Sequence, residues 1–180
     1  SGSLVVPASI ALHDLKNIDP SKLGKHMSVL SKSVDYVVID GAAGLGREAL
    51  AAIKAADDIV IVTNPEMPSV TDALKTVKLC QEMEKSVIGV VVTKTNSKNY
   101  DMSMEDIAGI LEVPVIGIIP EDRAVKKSLA EKEAVVHLYP SCVASVQYKK
   151  LAANLLDVSY AEDVIPFDKP KTFFQRLFGL

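Results

Sequence analysis

Residues 35–50 read Asp35-Tyr36-Val37-Val38-Ile39-Asp40-Gly41-Ala42-Ala43-Gly44-Leu45-Gly46-Arg47-Glu48-Ala49-Leu50, and the fold follows from this stretch. A β-branched run ends in a carboxylate, opens into a glycine-containing loop, and gives way to apolar residues at helical spacing. A short continuous apolar run bounded by turn residues is how a strand buried on both faces reads. Similar runs stand at residues 4–7, 59–63, 87–93 and 113–119, and helical spacing fills about 46–56, 69–85, 103–111 and 122–132. An earlier helix is expected to begin near Asp19, an N-cap candidate followed by Pro20 at the first helical position. Ser103-Met104-Glu105-Asp106 approximates a capping box, with Asp where Glu or Gln is usual. Parallel strands need crossover connections and helices supply them. The strict alternation therefore predicts a doubly wound α/β fold, a mostly parallel sheet with helices on both faces. In that architecture ligands bind outside the carboxyl ends of the strands.

With 180 residues, 48% of them hydrophobic, the chain is long enough for one substantial core. Residues 1–156 read as one domain, ending in a helix over about 143–156. Residues 157–170, acidic and holding two prolines, read as a linker, and 171–180 as a short terminal helix. A net charge of −3 lacks the basic footprint of a nucleic-acid binder, so no nucleic-acid partner is expected. No apolar run approaches the roughly 20 residues of a membrane span. Cys80 and Cys142 stand apart with no CxxC, which reads as isolated thiols in a reducing compartment and no metal centre. His13, His26 and His137 have no ligand spacing and read as surface or packing residues. Lys126-Lys127 and Lys149-Lys150 read as solvated helix faces, and Ser141 as a helix N-cap.

Asp40 and Gly44 are the leading chemical candidates. A carboxylate at the tip of a buried strand, followed by a glycine loop, is what a Walker B element and its switch loop require. Mg²⁺ takes oxygen ligands and keeps several waters, so Asp40 suffices to hold it directly or through a water. Glycines let backbone N–H groups approach a γ-phosphate. The same pattern also occurs as an ordinary strand-to-turn transition in many α/β proteins.

The stretch resembles the MinD branch of the deviant-Walker ATPases, whose loop commonly reads Asp-x-Pro-Ala-Gly; Ala42 stands here in place of the proline. The resemblance continues in Thr63-Asn64-Pro65-Glu66, in Ser69-Val70-Thr71-Asp72-Ala73, and in Ile119-Pro120-Glu121-Asp122. Upstream, Leu4-Val5-Val6-Pro7-Ala8 and Asp19-Pro20-Ser21-Lys22-Leu23 are similar as well, so it spans most of residues 4–156. It implies a P-loop NTPase-like fold, ATP with Mg²⁺ as cofactors, and catalytic roles for Asp40 and Gly44. It also implies nucleotide contacts from Thr93, Lys94, Pro120, Glu121 and Asp122. Where the family usually has Asn-Arg, this chain has Thr93-Lys94. A threonine hydroxyl offers one hydrogen bond where an amide offers a donor and acceptor pair.

No G-x-x-x-x-G-K-[ST] occurs in the sequence, and that loop supplies the phosphate cradle, the lysine and a Mg²⁺ ligand. The expectation is a partial sequence lacking about two βαβ units, roughly 60–90 residues. The alternative is a degenerate relative that has lost ATPase activity.

Lys171-Thr172-Phe173-Phe174-Gln175-Arg176-Leu177-Phe178 places Phe173, Phe174, Leu177 and Phe178 on one helical face, with Lys171 and Arg176 flanking it. That is the composition of an interfacial helix, although a helix packing back on the core or on a partner has the same pattern. The resemblance implies a membrane-targeting helix. The expected whole is a cytoplasmic, membrane-cycling ATPase involved in placing the division site, peripheral on the inner face of the cell membrane. Its expected partners are a second copy with ATP, anionic lipid, and adaptors of the MinC or MinE kind. The competing readings are a non-catalytic membrane-docked module and a sibling ATPase that places flagella or another structure.

Overall fold

The computed structural model describes residues 4–6, 19, 22–41, 44–96 and 101–160. Three strands, β1 (Asp58–Thr63), β2 (Ser86–Thr95) and β3 (Val115–Pro120), form a parallel sheet in the order β1-β2-β3. The helices are α1 (Leu23–Leu30), α2 (Arg47–Ala55), α3 (Met67–Glu82), α4 (Met104–Leu111), α5 (Arg123–Ala130), α6 (Val135–Leu138) and α7 (Val143–Leu155).

Alternation along the strands builds two cores. Ile61, Val90 and Val92 face one side and pack with Val70, Ala73 and Val77 of α3 and Ile107 and Leu111 of α4. Val91 and Ile119 face the other side, with Ala144 and Leu151 of α7 and Val125 of α5. β2 is thus buried on both faces, which is why its sequence is a continuous valine run rather than an alternating one. The expected doubly wound arrangement, with helices on both faces, is what the structure shows.

Two expected strands are corrected. Residues 4–6 and 35–40 enter no ladder among the described residues, and Leu4, Val5, Val6 and Val38 are exposed, Val38 by 92%. An apolar run specifies a strand only where a partner edge accepts its amides and carbonyls. The outer edge of β1 has no partner among the described residues, and Val62 on that strand is 64% exposed.

Helix ends follow local chemistry. Ser103 Oγ accepts from the Asp106 amide at 3.0 Å and donates to the Asp106 carboxylate at 2.8 Å, so this cap forms as expected. α7 is capped by Cys142, whose sulfur accepts from the Ser145 amide, and not by Ser141. The first described helix runs from Leu23 with no side-chain cap; just ahead of it the Lys22 amide donates to the Asp19 carbonyl at 3.1 Å, and Pro20 of the expected helix start lies outside the described residues. Lys85 Nζ donates to the Lys54 and Ala56 carbonyls at 2.9 and 2.7 Å and so caps the end of α2 with a cation.

Gly89 sits where β2 and the approach to β3 are tightest. A Cβ there would lie 2.5 Å from Ile116 Cγ2 and 2.6 Å from the Pro114 carbonyl oxygen, and the latter already accepts from the Val90 amide. Backbone does not yield cheaply, so Gly89→Ala is expected to destabilise the fold by about 1–3 kcal/mol, the usual cost of overpacking. A lower urea midpoint with an unchanged m-value would carry that result.

Candidate functional site

Because the three strands are parallel, their carboxyl ends deliver three loops to one edge of the sheet. Asn64-Pro65-Glu66 follows β1, the end of β2 supplies Thr93, Lys94 and Thr95, and Glu121-Asp122 follows β3. These loops are tied to one another. Thr93 Oγ1 donates to Asn64 Oδ1 at 3.0 Å, with the Thr63 carbonyl at 3.3 Å, while the Glu121 amide donates to the Thr95 carbonyl at 2.8 Å. The Met102 amide donates to the carbonyl of the fully buried Pro65. Glu121 pairs with Lys126 at 2.6 Å on the surface, an exposed contact of small energetic weight.

The hydroxyl proton of Thr93 is therefore engaged inside the sheet edge, and what Thr93 offers a ligand is acceptor capacity. Asn64 is the residue the sequence reasoning missed here. The signal was available, since an asparagine directly after a buried strand needs partners for its amide.

Lys94 stands out by its backbone. Five described non-glycine residues have positive φ; Glu84, Glu112, Lys132 and Asp157 terminate helices, whereas Lys94, at φ 59°, lies within β2. There the register against β3 shifts between Thr93 and Thr95. A non-glycine residue in this region costs on the order of 1–3 kcal/mol, and such strain concentrates at functional positions. Its ammonium group is exposed at the carboxyl edge of the sheet.

Asp122 is held more tightly than the other candidates. Its Oδ1 accepts from the Ala124 amide at 2.8 Å and its Oδ2 from the Ala144 amide at 3.3 Å. Burial pushes its pKa up, but hydrogen bonds from the Ala124 and Ala144 amides, the Cys142 thiol and the Val143 amide outweigh that and leave it below its ordinary value. A depressed folded pKa contributes stability that is present above the unfolded value, about 3.9, and lost as pH falls through the folded value. Acid unfolding of an Asp122→Ala protein should accordingly lose part of the wild-type dependence on pH below about 4, read by circular dichroism across an acid titration.

Asp40 and Gly44 belong to a separate loop that leads into α2. Gly44 has φ +85°, with nothing within 4 Å of where a Cβ would stand, so this turn needs glycine for its backbone. Asp40 is exposed. Among the described residues no group of three His, Cys, Asp or Glu side chains is placed to hold a metal. A Mg²⁺ ion bound to one carboxylate, waters and substrate phosphates needs no such group, and Asp40 fits that donor set. Ala42, Ala43 and the proposed lipid-facing residues Lys171, Phe173, Phe174, Arg176, Leu177 and Phe178 lie outside the described residues. No described helix is long and apolar enough to cross a membrane.

A groove of about 330 Å³ lies at the opposite end of the sheet, between Ile88, Val115, Ile116, Leu151, Asn154 and Leu155. Its lining has no titratable side chain, so the chemistry-bearing residues lie at the other end.

The family model described as "ParA: NUBPL iron-transfer P-loop NTPase" matches residues 25–156. An uncharacterized ATP-binding protein of Methanocaldococcus jannaschii is 35% identical over 159 residues, covering 88% of this chain and 60% of that protein. The chain thus spans about three-fifths of that relative's length. The septum site-determining protein MinD of Pyrococcus horikoshii, solved with Mg-ADP, superposes with a TM-score of 0.77 at 24% identity, covering 82% of this chain and 60% of that one. MinD in the MinC:MinD cell division complex of Aquifex aeolicus gives 0.72 at 30% identity over 80% of this chain and 62% of that one.

Proposed function

Since the chain belongs to the ParA/MinD family of P-loop ATPases, we propose that it is the carboxyl-terminal part of a membrane-cycling ATPase of the MinD type. The observation that carries this reading is the convergence of Asn64, Thr93, Lys94 and Glu121 at the carboxyl edge of the sheet, with Lys94 in a left-handed backbone conformation. In doubly wound folds that edge is where ligands bind. Pro120, Glu121 and Thr93 would shape the nucleotide pocket and Lys94 would place a cation beside the bound anion. Asp40 would hold Mg²⁺, directly or through a water, and the Gly44 turn would present backbone amides to the terminal phosphate. Bound Mg²⁺ neutralises charge on the phosphate oxygens.

The phosphate loop would come from sequence upstream of Ser1 in the native protein. The edge of β1 and the segment 35–40, both without a ladder partner among the described residues, and the exposed Val62 support this, because each is an apolar or hydrogen-bonding surface that an additional strand would cover.

ATP-driven pairing of two copies would then double the weak lipid contact of residues 171–180. Two linked copies raise avidity by roughly 10²–10⁴ over one. The protein would work in the cytoplasm, peripheral on the inner face of the cell membrane, with an adaptor of the MinC or MinE kind and a role in placing the division site.

The test is the intact mass of the native protein with sequencing of its first tryptic peptides. A mass several kilodaltons above 19.3 kDa, with a G-K-[ST] peptide ahead of Leu4, is the expected result. A native mass of 19.3 kDa would overturn the ATPase reading in favour of a non-catalytic membrane-docked module.

A further inference from the structure

Asp122 stands where three elements meet. It lies two residues past the end of β3, it begins α5, and it reaches α7 twenty-two positions further on. Each of its oxygens accepts from one helix, Oδ1 from the Ala124 amide of α5 and Oδ2 from the Ala144 amide of α7. Two helix N-termini converge on this one group, and a negative charge is favoured at each of them. On the strand side the neighbouring Glu121 amide is fastened to the Thr95 carbonyl at the end of β2.

The α7 end of this connection is firm. Ala144 and Ser145 are fully buried, and Cys142 Sγ donates to Ser145 Oγ at 3.2 Å while accepting from the Ser145 amide. Further along, Leu151 covers Gly117 of β3 so closely that a Cβ there would lie 3.1 Å from Leu151 Cδ1. A helix of 13 residues is about 20 Å long and moves as a unit. At its far end the Val158 amide turns back to the Ala153 carbonyl, and residues 161–180 follow.

We infer that Asp122 is a positioning residue that couples the carboxyl ends of β2 and β3 to α7, and so to the segment that α7 carries. Both of its oxygens are held by helix amides, so it acts through α7 rather than as a ligand. Only the identity of the ligand, ATP, rests on the function proposed above.

Two substitutions separate this role from a purely structural cap. Asp122→Asn keeps one oxygen for α5 and turns an NH₂ toward donors on α7. Asp122→Ser is a good N-cap for α5 but is too short to reach α7. The measurement is amide hydrogen exchange on the native full chain, with and without Mg-ATP, beside ATP affinity and thermal unfolding. In the wild type, Mg-ATP is expected to slow exchange along residues 146–158 by about fivefold or more, the scale of an allosteric coupling. Both variants are expected to bind ATP within about threefold of wild type and to lose that response.

A tenfold loss of ATP affinity in both variants would make Asp122 a ligand and overturn the inference. So would variants whose α7 responds like the wild type. Without nucleotide, both variants should already exchange faster throughout α7 and at residues 157–160. If only residues 143 and 144 respond, the carboxylate is a local cap and the coupling is refuted. A wild type that binds no ATP sinks the nucleotide reading alone, because the nucleotide-free comparison still decides the coupling.

Discussion

Replacing Asp40 with Ala in the native protein is expected to lower ATP hydrolysis by on the order of 10²-fold or more while leaving the fold intact. The physical basis is charge. In phosphoryl transfer the protein chiefly positions groups and stabilises developing charge, and loss of one such preorganised contact costs about 10²–10³ in rate. Asp40 is exposed and sits in a loop outside the ladder, so surface-type tolerance, within about 0.5 kcal/mol, is expected for stability. Steady-state hydrolysis at saturating Mg-ATP, paired with a thermal melt, reads both effects. Hydrolysis within threefold of wild type would remove Asp40 from the site and leave its strand-end carboxylate as an ordinary turn residue.

The second large effect is expected at the other end of the chain. Phe174→Asp or Leu177→Asp should abolish binding to anionic vesicles and leave nucleotide hydrolysis unchanged. Burying an apolar side chain of this size stabilises by roughly 1.5–3 kcal/mol, so removing one per helix from a bivalent complex forfeits roughly 3–6 kcal/mol, about 10²–10⁴ in apparent affinity. An added carboxylate also repels an anionic surface. Co-sedimentation with vesicles containing phosphatidylglycerol measures this. Retained binding in both variants would show that the apolar face of residues 171–180 does not contact lipid.

Periodicity made most of the architecture legible. The valine run of β2 announced a strand buried on both faces, and helices α3, α4, α5 and α7 fell within a few residues of where apolar spacing put them. The expected strands at 4–7 and 35–40 carried equally good patterns, yet residues 4–6 and 35–40 enter no ladder among the described residues, because a pattern records the need for burial while a ladder also needs a neighbouring edge. The four-residue α6 is too short to leave a periodic signal. At the site, the strand-end positions of Thr93, Lys94 and Asp122 followed from the alternating fold. Their partners did not. The bond from Thr93 to Asn64 joins residues 29 apart and depends on the register of β1 against β2, whereas Asp122 reaches Ala144 across 22, which depends on how α5 and α7 pack on one sheet. The left-handed backbone of Lys94 coincides with a register shift against β3, which no local feature of Val92-Thr93-Lys94-Thr95 encodes.

The most direct measurement of the proposed switch is vesicle binding of the native protein with Mg-ATP against Mg-ADP. The expected result is binding at least tenfold tighter with ATP, lost when either Asp40 or the apolar face of residues 171–180 is substituted. Equal binding in the two nucleotides would contradict a nucleotide-controlled membrane cycle.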